Sequence, residues 1–163
     1  MTSTNLLQQN VLFRTLNADL ISVNAEISSA KKLLEEMARL LTTALDGDIR
    51  EKDIYHQLLE REKLGNTGIG NGVALPHSRC QQAKTAVVAV ITLRDGVDYD
   101  SVDKQIVDLA FGLLVPKDAS QEHLNLLADI SRLMSDPAKK NKLSKAQSSQ
   151  EVIGLIGTWS AQA

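Results

Sequence analysis

Two apolar runs, residues 85–93 and 106–115, constrain this chain more than any other feature. The first holds Val87, Val88, Val90 and Ile91, and the second Val107, Leu109, Phe111, Leu113 and Leu114. Both have strand length and many β-branched or bulky residues, so each reads as a buried strand. Arg94, Asp95 and Gly96 are expected to close the first as a turn, and Pro116 closes the second. A short earlier strand is expected over residues 19–23.

Helical signals alternate with these strands. Ser28 or Ser29 is expected to cap a helix whose apolar face carries Leu33, Leu34, Met37, Leu40, Leu41, Ala44 and Leu45. Gly47 ends it, and Asp48 with Glu51 has capping-box spacing for a second helix running to about Lys63, terminated by Gly65. Ile54 and Leu58 form its buried stripe, which Arg61 continues. A guanidinium there needs acceptors: an arriving phosphate or an ordinary salt bridge would serve, and a stem reaching water is the third reading. A further helix is expected over residues 120–135, with His123 in its first turn on the same face as Leu126 and Leu127. That position is at the positive end of the helix dipole, and it also suits an ordinary half-buried histidine. Asp136 with Pro137, and Ser148 with Glu151, begin the last two helices. Strands alternating with helices give an α/β chain.

Between the second helix and the first long strand lies the segment that bears on function. Glycines at 65, 68, 70 and 72, followed by Pro76 and His77, are expected to turn backbone N–H groups toward an anion and to present one imidazole stiffly. A neutral imidazole nitrogen attacks phosphorus when its other nitrogen is held as a donor and the phosphoryl charge is compensated. Gly68, Gly70, Gly72 and the Thr67 hydroxyl are the candidate phosphate ligands. Two nucleotide motifs fail: Asn71 and Gly72 stand where a P-loop needs lysine and a hydroxyl residue, and no strand-turn-helix surrounds the glycines.

A chain of 163 residues with 43% hydrophobic content suits one compact domain. Eighteen basic and twenty acidic residues argue against an extended nucleic-acid footprint. The short run Lys139, Lys140, Asn141, Lys142 reads as a solvated helix face, or else as a dock for an acidic partner. Neither a membrane-spanning stretch nor a signal-like start is seen, so a cytoplasmic, soluble protein without membrane insertion is expected. Cys80 is the sole cysteine; no zinc cluster exists, and a Cys80–His77 nucleophile pair lacks an orienting partner. No metal or cofactor is expected.

Residues 61–77 closely resemble the active-site signature of the enzyme IIA domains, mannitol/fructose class (type 2), of the bacterial phosphoenolpyruvate phosphotransferase system. Residues 107–116, with His123 and Leu124, resemble the family's second signature. The resemblance spans roughly residues 14–157, leaving a flexible segment 1–13 and a tail 158–163. It implies a single-domain mixed sheet flanked by helices on both faces. It also implies that His77 accepts a phosphoryl group through Nε2 from a small histidine phosphocarrier protein, with His123 in support and Arg61 binding phosphate. Within the family the chain most resembles the free-standing nitrogen-related branch. That branch is understood to regulate partners such as potassium-transport, sensor-kinase and stress-response systems through its phosphorylation state. Two alternatives remain: a sugar-specific enzyme IIA serving a separate enzyme IIB, and a module that regulates by contact alone. Ser78 and Arg79 depart from the family, where many relatives carry glycine.

Overall fold

The structure, a computed structural model, describes residues 10–162. The two apolar runs become its central antiparallel pair, β5 (Val87–Val97) and β6 (Val107–Pro116), with Val90 opposite Phe111 and Val88 opposite Leu113. β1 (Ile21–Ala25) lies parallel to β5. On the other side of β6, β3 (Val73–Ala74) and β4 (His77–Cys80) follow one another along the same edge, both parallel to it. β2 (Gly68–Gly70) closes the sheet antiparallel to β3, giving the order β1-β5-β6-β3-β2.

Helices cover both faces. On one face lie α2 (Ala30–Thr43) and α3 (Glu51–Leu64), whose Leu33, Met37, Leu41, Ile54 and Leu58 pack on Ala89, Ile91, Ala110 and Leu114. On the other, α1 (Val11–Thr15), α4 (Gln121–Met134), α5 (Pro137–Ser144) and α6 (Ser149–Ala161) bury Val88, Val90, Leu109, Phe111 and Leu113. Successive residues of β5 and β6 thus enter different cores, which is why neither run alternates with polar residues. Complete burial of Phe111 alone contributes about 1.5–3 kcal/mol. Gly112 is required by this packing, since a Cβ there would run into the Met37 side chain.

Several boundaries differ from the sequence expectations. β5 runs through the expected turn at Arg94, Asp95 and Gly96 by means of a register shift between Thr92 and Val97, with Gly96 at φ +76°. The reversal comes later, where Asp100 and Lys104 adopt positive φ. A 3-10 turn over Ala18–Leu20 delays β1 to Ile21. α3 starts at Glu51 with Arg50 at the N-cap and no side-chain cap; Ile49 packs against the core instead of joining a capping box that starts at Asp48. Ser29, Asp136 and Ser148 do cap their helices.

Residues expected to flank the domain take part in it. Leu12 is fully buried in α1, and α6 carries Trp159 and Ser160 into the core. Residues 1–9 of the expected flexible segment, and Ala163 of the expected tail, lie outside the described residues. The basic run is not a uniform solvated face: Lys140 is buried, its Nζ 2.6 Å from Asp108 Oδ1.

Candidate functional site

His77 opens β4, just after a break in the strand edge. Pro76 has no N–H to give, but its carbonyl accepts the Leu113 N–H at 3.0 Å, so β6 runs on past the gap. Leu75 lies within that gap. Its N–H is donated to the Thr67 carbonyl at 2.9 Å, and its own carbonyl oxygen lies 2.7 Å from His77 Nδ1. A carbonyl oxygen only accepts, which assigns the ring hydrogen to Nδ1 and leaves the lone pair on Nε2. Among the described residues Nε2 has no protein hydrogen-bond partner.

The ring is half-buried, and that burial pushes its pKa below the ordinary 6.5; the Leu75 carbonyl opposes the shift, the Arg61 charge adds to it, and the Glu62 charge opposes it. The net effect is a neutral imidazole near pH 7, the form with a free lone pair.

His77 faces a cavity of about 700 Å³. α3 contributes Arg61 and Leu64 to its lining, α4 contributes Leu124 and Leu127, and β4 and β6 contribute Arg79, Leu113 and Val115. Arg61 stands in the last turn of α3 and donates through Nη1 to the Gly65 carbonyl at 3.0 Å. Among the described residues it makes no ion pair with a carboxylate, so of the readings left open for it, the salt bridge drops out. Leu64 is 85% exposed, an apolar side chain left uncovered at the site's margin.

His123 lies in the first turn of α4, with Nδ1 3.3 Å from Ser120 Oγ. Its neighbour Leu124 lines the cavity, whereas His123 does not, and it makes no hydrogen bond to His77 or Arg61. The structure therefore brings His77 and Arg61 to one cavity, and His123 is not among the residues that line it. Cys80 is fully buried, its thiol 3.2 Å from Gln82 Oε1 and not directed at His77.

Four expected phosphate ligands have other occupations. Thr67 is buried, and its hydroxyl donates its single hydrogen to Glu62 Oε2 at 2.6 Å. Gly68, Gly70 and Gly72 build a β-hairpin with a tight turn: Asn71 and Gly72 have φ +57° and +77°, the pattern of a two-residue hairpin loop. Its groups meet carboxylates, since the Asn71 N–H donates to Asp103 Oδ2 at 3.1 Å and Gly72 sits against Asp108. Gly72 lies level with Asp108 of β6 and His77 with Leu113; five strand residues separate them, about 16 Å. The glycines therefore do not gather around the imidazole, because their conformational freedom is used to reverse the chain. Glu62, Tyr99 and Leu64 were not picked out in the sequence. Glu62 stood beside Arg61 as an unremarkable helical acid, and Tyr99 is brought close only by the fold.

Residues 14–158 match the family model described as phosphoenolpyruvate-dependent sugar phosphotransferase system, EIIA 2. The chain belongs to that family. Similar proteins within it include nitrogen regulatory proteins. That of Pseudomonas aeruginosa is 37% identical over 134 residues, covering 82% of this chain and 86% of the relative. That of Escherichia coli K12 is 33% identical over 146 residues, covering 89% and 88%. The crystal structure of nitrogen regulatory protein IIA-Ntr from Neisseria meningitidis superposes with a TM-score of 0.82 at 34% identity, over 90% of this chain and 99% of that one. Escherichia coli IIA mannitol shares the fold, with a TM-score of 0.72 at 20% identity, over 86% and 98%.

No group of three His, Cys, Asp or Glu side chains among the described residues is arranged to hold a metal ion. No described helix is long and apolar enough to cross a membrane.

Proposed function

We propose that His77 accepts a phosphoryl group on Nε2 from a histidine phosphocarrier protein, and that its phosphorylation state decides which regulatory partner this chain binds. The observation that carries this reading is the contact between His77 Nδ1 and the Leu75 carbonyl, which holds the cavity-lining ring in the tautomer whose lone pair is on Nε2. In the transfer, the Nε2 lone pair forms a bond to phosphorus while the donor's nitrogen–phosphorus bond breaks, its electron pair returning to the donor's imidazole. The hydrogen stays on Nδ1, donated to the Leu75 carbonyl, whose partial negative charge offsets the positive charge developing on the ring.

Arg61 supplies N–H donors and positive charge to the phosphoryl oxygens. His123, at the positive end of α4, is assigned a supporting hydrogen bond to the attached group. A phosphoryl group adds about −1.5 to −2 charge at a cavity whose lining includes the apolar Leu64, Leu124 and Leu127, enough to exclude one partner and admit another. The similarity to nitrogen regulatory proteins supports the regulatory branch over sugar transport, with potassium-transport and sensor-kinase systems as the kinds of target. The cytoplasm is the compartment in which such a donor is met.

Incubation with phosphoenolpyruvate, enzyme I and a histidine phosphocarrier, followed by intact-mass measurement, tests the reading. One acid-labile phosphoryl adduct is expected on the wild type and none on His77→Ala. No adduct on the wild type from donors of either the sugar or the nitrogen branch would leave contact alone as the mode of regulation.

A further inference from the structure

Three polar side chains that the phosphoryl transfer itself does not use are joined to His77 by an unbroken series of hydrogen bonds. The Glu62 carboxylate accepts the Thr67 N–H on Oε1 at 2.8 Å and the Thr67 hydroxyl on Oε2 at 2.6 Å. The Tyr99 hydroxyl lies 3.1 Å from both Glu62 Oε2 and Thr67 Oγ1. Since the one hydroxyl hydrogen of Thr67 is spent on Glu62, Tyr99 is the donor in either contact. Burial holds the Tyr99 phenol protonated far above neutral pH, so it remains a donor.

From Thr67 the series passes through the backbone. The Thr67 carbonyl accepts the Leu75 N–H, and the Leu75 carbonyl accepts the hydrogen on His77 Nδ1. Leu75 falls between β3 and β4, outside the ladder with β6; its N–H bond to Thr67 instead extends the β2–β3 hairpin, in which Gly68 pairs with Ala74. Pro76 after it offers no N–H to help. The Leu75 carbonyl is therefore set between two anchors, the Pro76 bond to Leu113 on one side and Thr67 on the other, and Thr67 is gripped twice by Glu62.

Resting on the assignment of His77 as acceptor, we propose that Glu62, Thr67 and Tyr99 are positioning residues, which fix the Leu75 carbonyl so that it selects the Nδ1–H tautomer and aims Nε2 at the incoming phosphorus. None of the three touches the phosphoryl group. Glu62→Gln keeps one acceptor but replaces the other carboxylate oxygen by an amide nitrogen, which cannot accept from the Thr67 or Tyr99 hydroxyl.

The test has two readouts, the imidazole nitrogen chemical shifts of the nitrogen-labelled protein at a pH where the ring is neutral, and the single-turnover rate of transfer from phosphorylated histidine phosphocarrier. Wild type is expected to show His77 as the Nδ1–H tautomer. Glu62→Gln should show a tautomer mixture and transfer about tenfold slower, the size of one charge-assisted hydrogen bond. Tyr99→Phe should lose about threefold, and Thr67→Ser, which keeps both contacts, should stay near wild type. Ile130→Val, a core change in the opposite layer, controls for lost stability and should move neither readout. Folded Glu62→Gln with a wild-type tautomer and rate would overturn the proposal. Should Glu62→Gln fail to fold, Tyr99→Phe and Thr67→Val decide on the same readouts. A wild type that shows the Nδ1–H tautomer but takes up no phosphoryl group would refute the acceptor assignment, and the variants' tautomers would still judge the positioning.

Discussion

The hairpin turn at Asn71 and Gly72 and the strand beginning at His77 lie along the same edge of β6, and they treat their polar groups in opposite ways. At the hairpin the Asn71 N–H meets Asp103 and the Lys140 ammonium meets Asp108. At His77, Nε2 has no partner among the described residues, Arg61 has no carboxylate, and Leu64 stands uncovered. Buried or half-buried polar groups ordinarily pair. A cluster left unpaired around a cavity is the mark of a site, whereas a cluster of glycines marks only where the backbone must bend.

The comparison is broken most directly by exchanging the roles of the two regions. His77→Ala should abolish phosphoryl uptake, while Gly70→Ala, at φ +92°, should keep uptake and lose about 1–3 kcal/mol in urea denaturation. A folded Gly70→Ala protein that cannot be phosphorylated would restore the glycines as an anion cradle. Next in size, Arg61→Ala should slow transfer about a hundredfold in rapid-quench kinetics, with Arg61→Lys recovering part, because a point charge replaces a planar fork. At the hairpin end, Lys140→Met removes the partner of Asp108. It should lower stability by about 1–3 kcal/mol, short of a fully buried pair because Asp108 is partly exposed, and leave the transfer rate per folded molecule unchanged.

The smallest effect is in the pH profile. His77 has a folded pKa below its ordinary 6.5, so the unfolded chain takes up a proton first as pH falls. The linked stability is fully present above 6.5 and is lost as pH falls through the folded value. Transfer rate should likewise stay level from mildly alkaline pH down through 6.5 and decline only below it. A decline centred above 6.5 would show that the ring is not held neutral.

Much of this architecture was legible in the sequence. The runs that became β5 and β6, the apolar face of α2, and the caps at Ser29, Asp136 and Ser148 all follow from local pattern, whereas the placing of Arg61 beside His77 came from the family resemblance. What was not legible is non-local. Whether Gly68, Gly70 and Gly72 bind an anion or turn a hairpin depends on Asp103, Asp108 and Lys140, distant residues that the fold places beside them. Lys140 looked like surface because its three neighbours in that run are all polar or charged, and only the α5 packing against β6 turns it inward. Thr67 looked like a loop hydroxyl free for phosphate, but Glu62 and Tyr99 had claimed it. Gly96 looked like a turn, but close approach to Ile106 let the strand continue through it.

The central claim is that Nε2 of His77 is the acceptor because Nδ1 is tied to the Leu75 carbonyl. Phosphorylating nitrogen-labelled protein with its phosphocarrier and reading phosphorus–nitrogen coupling by NMR tests it in one experiment. Coupling to Nε2 of His77, with the Nδ1 hydrogen retained, is the expected result. Coupling to Nδ1 of His77, or to a nitrogen of His123, would contradict it.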